Sequence, residues 1–70
     1  MNDKDALDYA IRLYWDYGVP VTEIKPRLFE ECGLTPSAIE RVTSHLGKAI
    51  GRFDSDARAD YIIDRLEESF

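Results

Sequence analysis

Apolar residues recur along this chain at helical spacing, and short polar stretches carrying glycine or proline divide them into four segments. In the first segment Leu7, Ala10, Ile11 and Tyr14 fall on one face, which predicts a helix from about Asp3 to Tyr17. Asp3 and Asp5 suit its positive N-terminal end, and Gly18 followed by Pro20 ends it. Tyr9 points away from the apolar stripe and Trp15 lies at its edge. In the second segment Ile24, Leu28 and Cys32 share a face with Phe29 beside it. Thr22 is the expected N-cap there. Pro26 then falls at the end of the first turn, where a missing amide costs little, and Gly33 supplies a left-handed stop.

Thr35-Pro36 restarts the chain as an N-cap followed by a first helical residue that needs no amide. The third helix carries Ala38, Ile39, Val42, Leu46, Ala49, Ile50 and Phe53 on a wide apolar stripe, and Gly51 loosens or ends it. Asp54 or Ser55 is expected to cap the fourth helix, whose buried face is Ala59, Ile62, Ile63, Leu66 and Phe70, with Tyr61 on the opposite side. Ile39 and Leu66 are both expected in the core. No stretch alternates apolar and polar residues over strand length. The expected fold is therefore all-α, a compact bundle of four short helices over residues 1–70, read as one helical domain.

Residues 25–44 read KPRLFEECGLTPSAIERVTS. A helix stops at Gly33, Leu34 follows, and Thr35 opens a second helix whose buried positions are Ile39 and Val42, against Leu28 on the first. This segment resembles the helix-turn-helix motif of DNA-binding proteins, in which two helices meet steeply across a short turn. One position departs: Phe29 stands where that family commonly has a small residue, which implies a wider crossing or a different packing. The resemblance implies that the third helix would enter a DNA major groove. At ~100° per residue, Arg41, His45, Lys48 and Arg52 fall on one strip opposite the apolar stripe, flanked by Ser37 and Ser44. Arginine can bond guanine bidentately, while serine and lysine can hold phosphates. Arg41 is then the chief base reader, and a homodimer on a palindromic site is expected.

Charge gives a second reading. The formal net charge is −5, which on its own opposes nucleic acid and membrane. Its placement is uneven. Residues 1–21 hold four acids and two bases, and residues 54–70 hold six acids and two bases. The stretch between, residues 22–53, holds five bases against four acids. The acidic ends define an alternative partner-binding surface, with Tyr9, Trp15 and Tyr61 set among carboxylates that include Asp60 and Asp64. Aromatic side chains are favoured at protein interfaces, so the alternative function is an acidic module or inhibitor that binds a larger protein.

Size and residue chemistry narrow the rest. A chain of 70 residues buries only about 60% of the surface its unfolded form exposes, so it is marginally stable and has little room for a deep substrate pocket. Cys32 is alone, so no internal disulfide forms, and one Cys with one His cannot build a zinc site. Helix packing or self-association must supply the stability. The lone thiol fits a reducing compartment. No apolar run approaches the ~20 residues of a membrane span, and the acidic, polar start of the chain is unlike a signal peptide. A cytoplasmic protein is expected.

Catalytic and cofactor patterns are missing. Cys32 falls on an apolar face and His45 on an exposed one, which does not make a nucleophile pair. Asp54-Ser55-Asp56 opens like a calcium loop, but Arg58, Ala59 and Arg65 occupy its next ligand, its glycine and its closing glutamate. Gly47-Lys48 lacks the remainder of a phosphate loop. The expectation is a small non-catalytic regulatory protein of the transcription-regulator type, without cofactor or metal, that binds DNA through its third helix, with the acidic protein-binding module as the alternative.

Overall fold

A computed structural model describes residues 1–67, the side chain of Glu67 excepted. Four helices follow in order: α1 (Asp3–Ile11), α2 (Val21–Cys32), α3 (Pro36–Arg52) and α4 (Ala59–Glu67). A five-residue π-helical turn, Arg12–Asp16, continues α1. No strand occurs among the described residues, so the all-α four-helix expectation holds. Phe70, which the apolar pattern assigns to the last helix, lies outside the described residues.

Three helix ends follow the local chemistry of the sequence. Asn2 Oδ1 accepts from the Asp5 amide at 2.8 Å and caps α1. Thr35 Oγ1 accepts from the Ala38 amide at 3.2 Å, with Pro36 as the first residue of α3. Gly33 ends α2 at φ 65°, and both its amide and that of Leu34 donate to the Leu28 carbonyl.

Three ends differ from the sequence expectation. First, α2 begins at Val21, and Thr22 is its second residue. Pro20 is already extended at ψ 154°, and its carbonyl accepts the Glu23 and Ile24 amides at 2.9 and 3.1 Å. The helix therefore starts ahead of the threonine, and Pro26 sits inside it. The amide that Pro26 lacks would have bonded the Thr22 carbonyl; both residues are exposed, on the wet side of the helix. Second, the predicted first helix leaves α geometry after Ile11. The wider turn closes when the Val19 amide reaches the Leu13 carbonyl at 2.9 Å, with Gly18 at φ 69°. Third, neither Asp54 nor Ser55 caps α4. The chain turns between Asp54 and Ala57, and α4 starts only at Ala59. Its first amide is taken by Asp16 Oδ1, 3.2 Å away on the π-helical turn.

The helices close over one continuous core. α1 lies along α3 and also meets α2 and α4, while α2 packs on α3. Leu7, Ile11, Ile24, Leu28, Val42, Leu46 and Ile62 are fully buried, with Ala6, Ala10 and Ala59 where the helices come close. Ile39 and Leu66 are only partly buried at its edge. No described polar or charged residue is buried, so the core is held by apolar burial and close packing alone. The Cα radius of gyration, 11.0 Å, matches the ~11 Å of a fully compacted chain of this length.

Candidate binding surfaces

The outer face of α3 is set by its burial pattern. Ala38, Val42, Leu46 and Ala49 turn inward, so Ser37, Arg41, Ser44, His45, Lys48 and Arg52 all emerge on the exposed side. The six residues nominated for DNA contact therefore share one face. The structure adds a neighbour that the sequence does not announce. Asp3, in the first turn of α1, accepts from Arg41 Nε at 2.8 Å. The Arg41 guanidinium holds the Asp3 carboxyl below the ordinary carboxylate range, with help from the nearby charge of His45. In turn Asp3 raises the Arg41 value. Arg52 turns away from the strip centre, its guanidinium 5.3 Å from the Phe53 ring centroid.

The corner between α2 and α3 also differs from the motif it resembles. Phe29 is 59% exposed. The position that a close crossing would bury thus faces solvent, while Leu28, Leu34 and Ala38 around the corner are buried in the core.

The acidic and aromatic residues divide into two groups. Tyr9 and Trp15 are half-buried against the core, and each makes one long-range hydrogen bond. The Tyr9 hydroxyl donates to Glu31 of α2, a bond that raises the tyrosine pKa because ionisation would break it beside a carboxylate. Trp15 Nε1 donates to the Asp54 carbonyl at 3.0 Å, and its ring meets Tyr14 edge-on. Asp60, Tyr61 and Asp64 stay exposed on α4. Asp60 pairs with Arg12 at 2.9 Å, both side chains well solvated. Tyr61 is 50% exposed, with Phe53 edge-on at 6.1 Å and the Arg65 guanidinium 5.2 Å from its ring centroid.

Other features emerge only in three dimensions. Tyr17, at 76% exposure, joins Phe29 and Tyr61 as an exposed aromatic. A cleft of about 640 Å³ opens between the end of α3 and the start of α4, with Phe53 and Tyr61 in its wall. It joins residues from two helices and a loop, so no local pattern could have revealed it. Cys32 is half-buried and its thiol pKa is raised by burial, then by Glu31. That is the opposite of the low pKa a reactive thiol needs. Among the described residues no three His, Cys, Asp or Glu side chains group as a metal would require, and no helix is long and apolar enough to cross a membrane.

No protein-family model matches this chain, and neither a curated protein nor a solved structure matches it.

Proposed function

We propose that this chain is a small, non-catalytic interaction module that binds a protein partner through α4 and the surface beside it. The observation that carries this reading is the exposed face of α4. Tyr61 stands half-exposed between Asp60 and Asp64 on one side and Arg58 and Arg65 on the other. An accessible aromatic ring ringed by charges of both signs is the composition expected of an interface anchor. A net charge of −5 suits a protein partner better than a polyanion.

DNA binding through α3 is the second reading, favoured by the six polar and basic residues that emerge on one face of that helix. Its cost is Asp3. Arg41 would have to leave that carboxylate to read a base, and the acid would then lie beside the phosphates.

Affinity capture from lysate of cells that express the chain, with and without nuclease, separates the two. The expected result is a partner that survives nuclease, is lost from the double variant Asp60→Lys/Asp64→Lys, and is retained by Arg41→Ala. The opposite pattern, together with a duplex mobility shift at low salt, would transfer the function to α3 and DNA.

A further inference from the structure

Three arginines, Arg52, Arg58 and Arg65, line the cleft between the end of α3 and the start of α4. Two of them rest against its aromatic walls: Arg52 lies 5.3 Å from the Phe53 centroid and Arg65 lies 5.2 Å from the Tyr61 centroid. The rings themselves meet edge to face at 88°. A guanidinium held against a ring keeps its planar fork of donors free along its edge, and that fork matches a carboxylate in two parallel bonds. Arg12 and Arg41 pair with Asp60 and Asp3. By contrast, none of the three cleft arginines forms an ion pair with another described residue.

Two further features define the anion. Asp54 and Asp56 also line the cleft, so three positive groups face two negative ones. A lone carboxylate fits that balance, whereas a run of phosphates would bring repeated charge against the two aspartates. The remaining wall is apolar, made by Ala57 and the two aromatic residues. Its volume lies within the about 300–1,000 Å³ of small-ligand sites, enough for a few side chains.

We infer that this cleft binds an acidic peptide segment of a protein partner, taking one Asp or Glu carboxylate between Arg58 and Arg65 and an adjoining apolar side chain against Phe53 and Tyr61. The inference rests on the protein-binding reading and names the chemistry of the partner.

The test is an NMR titration of the whole labelled chain, following backbone amides and arginine Nε resonances. One probe is a blocked pentapeptide with glutamate between phenylalanine and leucine. The comparison probes are its glutamine counterpart, inorganic phosphate and a single-stranded oligonucleotide. Saturable shifts at Arg58, Tyr61 and Arg65 are expected with the glutamate peptide, with affinity at least tenfold lower for the glutamine peptide and for the Arg58→Gln/Arg65→Gln variant. Equal binding of the two peptides overturns the inference without any variant being needed. So does tighter binding of phosphate or oligonucleotide, or an absence of shifts at millimolar peptide. If the peptide fails while nuclease-resistant capture through Asp60 and Asp64 persists, only the cleft assignment falls. If the peptide binds while capture depends on nucleic acid, the protein-binding reading falls and the cleft stands.

Discussion

Asp16 caps a helix that begins 43 residues further along the chain: its Oδ1 accepts from the Ala59 amide at 3.2 Å. The same π-helical turn sends Trp15 to the Asp54 carbonyl and Arg12 to Asp60. One irregular turn thereby fixes both the loop before α4 and the first turn of α4, and with them the wall of the cleft. Widened turns of this kind frequently occur at functional sites.

Removing that cap should have a measurable cost. Asp16→Ala is expected to destabilise the chain by about 1 kcal/mol, the usual value of an N-cap, while Asp16→Asn should retain most of the stability because its amide oxygen can accept the same bond. Urea denaturation gives the free energies, and hydrogen exchange at the Ala59 and Asp60 amides localises them. An alanine variant with an unchanged midpoint would show that the bond contributes nothing in solution.

Burial, more than helical phase, decides which core substitutions are severe. Ile39 and Leu66 lie on the apolar stripes but at the edge of the core, whereas Leu46 and Ile62 are 0% exposed. Leu46→Ala and Ile62→Ala should each cost about 2–5 kcal/mol through lost burial and the cavity left behind. That is a large share of the about 5 kcal/mol that a small domain holds. Ile39→Ala and Leu66→Ala should cost clearly less. Thermal and urea unfolding of the four variants checks the order, and a reversed ranking would mean that the packing of α3 or α4 is misassigned.

The sequence made the helices legible because their apolar residues repeat at the period of the structure they form. Thr35-Pro36 and Gly33 marked two ends correctly, since each cap is a local arrangement of neighbouring residues. The start of α4, by contrast, depends on a contact made across the chain. Nothing near Ala59 announces that its cap is Asp16, and the π-helical turn buries Leu13, which lies off the predicted stripe, while Tyr14 on that stripe is only half-buried. The proposed α3 face was visible for the same reason as the helix, but Asp3, which neutralises its chief arginine, lies 38 positions away. The Arg52, Arg58 and Arg65 grouping depends on the loop that joins α3 to α4 and on the packing of α4 against α1 and the π-helical turn.

The Asp3–Arg41 pair makes a pH dependence with a definite sign. Hydrogen bonding to Arg41 lowers the Asp3 pKa in the folded chain relative to the unfolded one. Its contribution is therefore fully present above the unfolded value and is lost as the pH falls through the folded value. Following the Asp3 carboxyl carbon by NMR across the acid range should show a midpoint below that of an ordinary aspartate, and Arg41→Ala should raise it. A midpoint that stays put in the variant would mean that the pair does not form in solution, and it would leave Arg41 free on the exposed face of α3 proposed for DNA.

Two glycines should respond to alanine with opposite signs. Gly33 sits at φ +65°, and a Cβ there would meet nothing within 4 Å, so the cost of Gly33→Ala is backbone strain alone, about 1–2 kcal/mol. Gly47 also has open space around it but lies inside α3 with ordinary helical geometry. Alanine there removes the entropy that glycine loses on entering a helix, so Gly47→Ala should stabilise by about 0.5–1 kcal/mol. The spacing of Gly47 and Gly51 would permit a close helix contact, yet neither position has a neighbour that a methyl group would touch. Urea midpoints of the two variants decide the matter. Destabilisation by Gly47→Ala would reveal a surface packed against that side of α3 in solution, such as a second copy of the chain, since none of the described residues stands in the way.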